Sequence, residues 1–572
     1  MLSVLTSWII IFSASFIFGY IFITGCYKKS KKTLGTMDIY LISGLMLVNV
    51  YAEFFSIWDN VAGKACLLLA ILGVALFFVY AICTKTNYVM CMGEIKRIPL
   101  RQWAIGALVV VVTLLWTVKS PAHYDTALYH QQAIAWIEEY GVVQGLGNLH
   151  NRFAYNSAFM PLQALFSFKW LIGQSLHTVN GYICCIFLIY ALLTNNILKK
   201  QPVRLSDLLK VAGVIYICKN SVIMSSPSSD TLTMLLVIYI CIKWSEFCEA
   251  DIEDALPYTF LCVLCVYAIS VKLSAAVCII FVIYPVAGLI KNKNWKEMIT
   301  NLIIGFTVVF PWLVRNVIIS GYLLYPYPQF DFFDVDWKMP ASVLTFDSRE
   351  IMVWGRGLYN VTRYNEPIWK WIPNWFIMQN LQSQIFFVLG ISAMLVLIAY
   401  LAIKFLIKSK EDFRFSLLYI YSIFGVAVWM FTAPLMRYGE IYLLIPICEA
   451  IWIGIKNQKQ RSLTKVSVRI LATIVLIPHL CSYAVGWNNN SGIPLARQGE
   501  YMWTLTAETE LDGEVKIWFP EENDQSSYDV FPCIPYPNML KRIELRGTSL
   551  KDGFKMKAES KALHLNAYGN EW

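Results

Sequence analysis

Charge is what this sequence has least of. Only 15% of its 572 residues are Asp, Glu, Lys or Arg, against roughly a quarter in an ordinary soluble enzyme, and the shortfall excludes that class. Glycine and proline, at 30 and 21 residues, are too few for a collagen-like or low-complexity chain. No segment recurs at a period of about 20 to 50 residues, and no two halves match in hydropathy, which lowers the case for a secondary transporter, whose spans usually form related halves. The 15 cysteines lie almost entirely in or beside apolar runs (Cys26, Cys66, Cys83, Cys184, Cys185, Cys218, Cys262, Cys265, Cys278, Cys448). The one Cys-x-x-Cys, Cys262 to Cys265, has no second Cys or His pair at zinc-site spacing, so these read as small packed or lipid-embedded side chains. Cys533 stands alone far from any such run, and no disulfide is expected. No basic residues precede the first apolar run, which argues against a cleaved signal peptide.

What the chain has instead is hydrophobic residues, 57% of the total with 15% aromatic, and a mean hydropathy of +0.54. The length would accommodate about three or four soluble domains. The apolar residues, however, form repeated blocks of about 17 to 22, close to the roughly 20 a helix needs to cross a hydrocarbon core. The expected fold is an all-α polytopic membrane protein. It has fourteen spans, near residues 3–25, 38–57, 63–83, 103–118, 178–197, 207–224, 230–246, 257–270, 273–290, 298–317, 384–406, 415–432, 439–456 and 466–486.

The net charge of +9 gathers beside these blocks and forms no basic-aromatic patch, so no nucleic-acid partner is expected; it reads as a topology signal. Every second loop but one is basic: Lys28, Lys29, Lys31 and Lys32; Lys85, Lys96, Arg97 and Arg101; Lys199, Lys200 and Arg204; Lys291, Lys293 and Lys296; Lys404, Lys408, Lys410 and Arg414; Lys456, Lys459, Arg461 and Lys465. These loops are expected in the cytoplasm. The exception is the acidic stretch 246–254. The reading is a multi-pass plasma (inner) membrane protein with both termini extracytoplasmic.

Three outward segments are too long to be connectors: 119–177, 318–383 and the tail 488–572. Their shared side locates the chemistry there. Three units are expected. Residues 1–102 form three leading helices, residues 103–487 a catalytic membrane module, and residues 488–572 a small α+β outer domain. The segment after Asp125 reads as an amphipathic helix lying in the membrane interface, with Ala127, Ile134 and Ile137 on its apolar face. Asp125 is either its N-cap or a functional carboxylate that takes a proton or binds a divalent metal. Residues 145–156, with Asn148, His150, Arg152 and Asn156, suit sugar hydroxyls or phosphate oxygens. Asp230 either caps a span or joins a site. Lys272, Arg315 and Arg437 are cations at the outer ends of spans, where an unpaired charge is costly, and together they point to an anionic headgroup such as a lipid phosphate. For Arg437 the neighbouring Glu440 is the competing partner. Few ionisable residues are visible deep in any helix.

Asp125 with Tyr129 and His130 after a span, Ser226-Pro-Ser-Ser-Asp230, Pro311-Trp-Leu-Val-Arg315-Asn316 leading to Tyr325-Pro326, and Ala433-Pro-Leu-Met-Arg437-Tyr438 together resemble the GT-C superfamily of polytopic glycosyltransferases. That superfamily includes protein O-mannosyltransferases and aminoarabinose transferases. The resemblance covers about 103–456. It implies inverting transfer of a sugar from a polyprenyl-phosphate carrier to a glycan, lipid or protein acceptor at the outer face, among membrane lipids. It gives Asp125 the role of base or metal ligand. Many members place two acids together in the first loop; here Thr126 follows Asp125, so the cofactor stays open, with Asp125 and Asp230 as metal ligands if there is one. Glu138 and Glu139, the nearest other acids, are expected to face solvent. Arg437 and Arg315 are expected to clamp the donor phosphate, with Lys272 beside them. The remaining substrate-binding positions are Tyr129, His130, His150, Arg152, Asp230, Asn316 and Tyr438. The aromatics Tyr325, Tyr327, Trp337, Trp354, Trp369 and Trp371 either line a groove or form an interfacial belt. The rival class is a transporter or flippase of a lipid-linked saccharide, which needs a charged or water-lined path through the spans.

Overall fold

The computed structural model describes residues 1–84, 99–197, 202–408, 412–456, 496–501, 503–513 and 515–560. Its longer helices are α1 (Leu2–Cys26), α2 (Met37–Trp58), α3 (Gly63–Thr84), α4 (Leu100–Thr117), α5 (Gln131–Tyr140), α6 (Val179–Thr194), α7 (Leu205–Lys219), α8 (Ser229–Glu249), α9 (Ala255–Val271), α10 (Ile283–Lys291), α11 (Trp295–Ser320), α12 (Ala341–Gly355), α13 (Ile368–Met378), α14 (Leu381–Leu406), α15 (Phe413–Thr432) and α16 (Met436–Lys456). A ten-residue 3-10 run, Leu273–Val282, leads directly into α10.

Among the described residues, ten helices are long and apolar enough to cross a membrane, and the chain is a polytopic helical membrane protein by that measure. Three of the expected spans fall below that length. Residues 178–197, 207–224 and 257–270 give α6, α7 and α9, of 16, 15 and 17 residues, each about 22 to 26 Å long. Their ends are set by polar side chains that an apolar count overlooks. After α6, the Asn196 N–H donates to Asp207 at 2.8 Å and Asn195 donates to the Asp207 carbonyl at 3.1 Å, tying the end of α6 to the first turn of α7. The span expected at 466–486, most of the last basic loop, and Lys85, Lys96, Arg97, Lys199, Lys200 and Lys410 lie outside the described residues.

Burial sorts the bundle into centre and rim. The most apolar stretch of α8 is 94% buried, whereas those of α3 and α14 are 17% buried and present apolar side chains outward, as lipid-facing helices do. Helices α1 and α2 meet backbone to backbone. A Cβ on Gly44 would stand 1.7 Å from the Ser15 carbonyl oxygen, and one on Gly19 would stand 1.8 Å from that of Tyr40. Small residues spaced four apart allow this approach where lipid supplies no hydrophobic drive.

The interior also carries charge, against the expectation of few ionisable groups in the helices. Lys243 of α8 meets Asp38 at 2.7 Å and Glu246 at 3.0 Å, and Lys210 meets Glu246 at 2.7 Å. Glu53 in α2 and Glu449 in α16 are fully buried. Glu449 is hidden in the sequence as a single charge in the apolar run 441–455, whereas Lys243 and Glu246 stand at the polar end of α8.

A second hydrophobic core joins the first outer segment, the residues after α11 and the tail. Trp136, Leu146 and Leu149 pack with Ile319, Tyr322 and Val343, and with Leu511, Ile517, Ile543 and Phe554. The tail contributes two antiparallel hairpins, β1 (Thr506–Leu511) with β2 (Val515–Pro520) and β3 (Ile543–Leu545) with β4 (Phe554–Met556). Before them Gln498 plugs into the bundle, donating to the carbonyls of Thr117 and Ser225 at 3.0 Å each and accepting from the His177 N–H at 2.9 Å. Cys533 is a buried free thiol.

This arrangement corrects the reading of residues 131–140. Helix α5 does not lie free at an interface, because it is covered on both sides. Ile134 and Ile137 belong to the bundle core, while Gln131 and Gln132 donate to the tail carbonyls of Ser526 and Ser527 at 2.5 and 2.9 Å. Glu138 is buried and accepts from the Ser175 hydroxyl at 2.6 Å, so only Glu139, paired with Lys169 at 2.8 Å, faces solvent.

Candidate functional site

Four charged groups from four parts of the chain meet at the end of the bundle where residues 119–177, those after α11 and the tail gather. The first is placed by a break. Helix α9 stops at Val271 and Lys272 is extended, with φ −157° and ψ 126°, which carries its ammonium to the carboxylate of Asp230. Asp230 sits in the first turn of α8 but does not cap it. Ser228 is the cap, accepting the Asp230 N–H at 3.4 Å, and this leaves the Asp230 carboxylate for the cluster. Arg437, the second residue of α16, reaches Asp125 at 3.0 Å and Asp230 at 3.9 Å, and donates to the Tyr438 hydroxyl at 2.8 Å.

Asp125 precedes a wide helical turn, Thr126–His130, and its side chain makes no capping bond. The N-cap alternative therefore falls, and the carboxylate is committed to Arg437. Glu440 is not Arg437's partner either. It holds Lys219 and accepts from Asn220 at 2.8 Å, because α7 packs against α16 there.

The Tyr438 ring serves both cations, with the Lys272 ammonium 3.6 Å and the Arg437 guanidinium carbon 4.9 Å from its centroid; such cation–π contacts gain strength where water is scarce. His123 completes the cluster. Its Nδ1 accepts the Asp125 N–H at 3.2 Å, which puts the ring proton on Nε2 in the neutral form. Burial holds its pKa below the usual histidine value, with Asp125 and Asp230 pulling the other way. With His123 neutral, two carboxylates balance two cations and the site carries no net charge.

Asp125, Lys272, Arg437 and Tyr438 line a cavity of about 860 Å³ shared with Tyr129, Arg152 and Arg315. Of the other expected site residues, Asp230 stands behind Lys272 and Arg437. His130 is buried against Tyr129, ring centroids 4.3 Å apart, and stacks on His123 at 6.0 Å. His150 is not among the cavity's lining residues and packs on Phe153, which is, and on the tail residue Tyr536. Asn316 is a support, accepting from Asn156 at 2.8 Å and donating to the Leu323 carbonyl at 3.0 Å. Arg315 reaches the cavity wall but is buried, donating to Asn156 at 3.0 Å and to the Ser56 hydroxyl. The aromatics divide. Tyr325, Tyr327 and Trp354 line the cavity, Trp371 is buried, Trp369 is exposed, and Trp337 donates to the Val317 carbonyl at 3.0 Å.

A second polar group on the cavity wall joins the expected Arg152 to Asp347 and Glu350, which the sequence reading leaves unmarked. Arg152 donates to the Tyr155 hydroxyl at 3.1 Å and to Glu350 at 3.2 Å; Tyr155 in turn donates to Asp347 at 2.6 Å, and Asn151 to the same carboxylate at 2.8 Å. Burial raises the pKa of Asp347 and Glu350, opposed by Arg152. Asp347 and Glu350 sit in helix α12, in a segment whose aromatics drew attention away from its acids. His123 was legible only as part of the string before Asp125.

For a metal, Asp125 and Asp230 are the available carboxylates of the first cluster, and both already face Arg437. Among the described residues no group of three or more His, Cys, Asp or Glu is placed to hold a metal ion. A family model described as Domain of unknown function (DUF8201) matches residues 1–444, and the chain belongs to that family. The match spans every residue of both polar clusters and stops before the tail. No curated protein and no solved structure matches the chain.

Proposed function

We propose that this member of the DUF8201 family is an integral-membrane glycosyltransferase of the GT-C type that moves a sugar from a polyprenyl-phosphate carrier to a hydroxyl of a cell-envelope glycan, lipid or protein. The observation that carries the reading is that Asp125, Lys272 and Arg437 line one cavity, with Asp230 behind them joining the two cations. In the reaction the acceptor hydroxyl attacks the anomeric carbon, the bond from that carbon to the phosphate oxygen breaks with its electron pair going to the phosphate, and Asp125 takes the hydroxyl proton. A single displacement of this kind inverts the anomeric centre. The phosphate leaves as an anion, and Arg437 and Lys272 stabilise the charge as it develops, the kind of preorganised term that often dominates catalysis.

The ion pair between Arg437 and Asp125 gives the sequence of events a physical basis. An arriving phosphate competes for the guanidinium, and the carboxylate it displaces is thereby freed to act as base. Arg315 is a weaker clamp in this reading because Ser56 and Asn156 already engage it. The transporter alternative needs charge along a path through the spans. Asp38, Lys210, Lys243 and Glu246 instead pair with one another and do not line the cavity, and Arg315, the buried cation of α11 that does, is held by Asn156 and Ser56, which supports a surface active site.

The proposed topology has fourteen spans in the plasma membrane with both ends outside. Reporter fusions after residues 32, 200 and 410 then read as cytoplasmic and one after 490 as external; reversed signals would place the cavity on the wrong side for this chemistry. The central test is Asp125→Asn in the purified protein, supplied with polyprenyl-phosphate sugars and envelope acceptors. Transfer is expected to vanish while stability changes by about 1 kcal/mol or less, the usual scale for a partly exposed ion pair, because Arg437 keeps Asp230. Turnover at the wild-type rate in this variant would falsify the assignment of the base.

A further inference from the structure

The second polar group sits on the same cavity as the first and differs from it in kind. Arg152, Tyr155 and Tyr325 face the cavity, and Asp347 and Glu350 stand behind them. The guanidinium of Arg152 is answered by Glu350 at 3.2 Å and, through the Tyr155 hydroxyl, by Asp347. A second anion gains nothing at this wall, since two carboxylates stand behind one cation. A cation meets the guanidinium first. What remains attractive is a neutral molecule with many hydroxyls, each able to accept from the guanidinium and to donate to a phenol or carboxylate oxygen. Two of Arg152's five N–H donors are used in the bonds to Tyr155 and Glu350, which leaves others for a ligand.

The wall is also aromatic. The Tyr129 and Tyr155 rings lie 6.2 Å apart and the Tyr155 and Tyr325 rings 5.5 Å apart, tilted against each other by 55° and 75°, so that a shelf of ring faces and edges borders the guanidinium. A pyranose presents apolar C–H faces and a polar equator, the complement of such a shelf. Tyr129 links this wall to the first cluster. It lines the same cavity as Asp125 and Arg437 and its ring neighbours that of Tyr155, while burial raises its phenol pKa, with Asp125 adding to the rise and Arg152 opposing it.

From this we infer that the wall formed by Arg152, Tyr155 and Tyr325 is the subsite for a neutral sugar ring, distinct from the anion-binding pole of Arg437 and Lys272. The inference rests on the cavity being the substrate site of the transferase and names the part of the substrate each pole takes.

The test uses purified full-length protein in detergent and thermal-shift titration with methyl glycosides of glucose, mannose, galactose and N-acetylglucosamine, with acyclic mannitol as control and undecaprenyl phosphate as a separate probe of the other pole. At least one glycoside is expected to raise the wild-type Tm saturably while mannitol does not. Arg152→Lys keeps the charge and loses the planar fork; it is expected to weaken that glycoside about tenfold and leave undecaprenyl phosphate binding at its wild-type value. If Arg152→Lys does not fold, Tyr325→Phe, which deletes one hydroxyl from the shelf, takes its place with the same expectation. No response to any glycoside, a response shared by mannitol, unchanged glycoside affinity in the variant, or equal loss for both probes overturns the inference. Glycoside binding by a wild type that ignores undecaprenyl phosphate leaves the sugar wall standing and removes the lipid-phosphate reading instead.

Discussion

Arg437 shows what a residue's place in a sequence reveals and what it hides. A guanidinium beside apolar spans must have a partner, because a lone charge near hydrocarbon is costly; on that ground Lys272, Arg315 and Arg437 are singled out, of which Lys272 and Arg437 meet at Asp230 while Arg315 is held by Asn156 and Ser56. The partner itself was not legible. Glu440 is three residues away along the chain yet belongs to Lys219 and Asn220, while Asp125, more than three hundred positions earlier, takes the guanidinium. Pairing is decided by which helices pack, and a single sequence carries little of that. The structure also fixes what Arg437→Lys does. An ammonium pairs with Asp125 as a point charge, so the fold is kept, but it cannot grip a phosphate with two parallel bonds. Donor affinity for a polyprenyl-phosphate sugar is expected to fall at least about tenfold, or roughly 1.4 kcal/mol, in a titration of the purified variant. An affinity equal to that of the wild type would make Arg437 structural and move the clamp to Lys272 or Arg315.

At the scale of elements, the apolar blocks located nearly every helix, since a run that must satisfy its backbone inside a membrane has few alternatives. Polar side chains set the helix ends: α6 stops at Thr194, short of the expected 197, before Asn195 and Asp207, whereas α9 stops at Val271, within a residue of the expected end, where the extended Lys272 builds the site. Helix α5 departs from expectation in another way. Its hydrophobic periodicity is real, but periodicity reports that one face is buried and is silent about the other. The polar face of α5, with Gln131 and Gln132, is as buried as the apolar one because the tail supplies carbonyls to it. The same holds for Glu138, which the helical wheel turned outward and Ser175 holds inside. The second polar wall was invisible for a related reason. Arg152 was marked as a substrate group, but Asp347 and Glu350 come from helix α12, nearly two hundred residues on, and nothing in the intervening sequence ties them together.

The molecule as a whole is built around groups that burial keeps neutral, and this gives it a pH dependence of definite sign. His130, His150 and His177 are buried where the loss of water holds each pKa at about 3, against about 6.5 in an unfolded chain. Between those values the unfolded state binds more protons than the folded state, so stability rises with pH through this window. The contribution is complete above the unfolded pKa and is lost as the pH falls toward the folded one. Each histidine contributes a slope of at most about 1.4 kcal/mol per pH unit. The outer carboxylates Glu138, Asp347 and Glu350 act in the opposite sense, since burial raises their pKa values and protonating them in the fold is the easier direction. A comparison between variants cancels that term. The Tm of the purified protein, followed from pH 7 to pH 5, is therefore expected to fall more steeply in the wild type than in His177→Asn, even if the variant starts from a lower value at pH 7. His177 suits the test because it belongs to neither ion-pair cluster: Gln498 accepts its backbone N–H, Tyr501 packs edge-on at 5.1 Å, and His130 is the titratable neighbour that lowers its pKa further. Parallel curves for the two proteins would mean that His177 takes up its proton in the folded state, which requires water to reach it beneath the segment that carries Gln498.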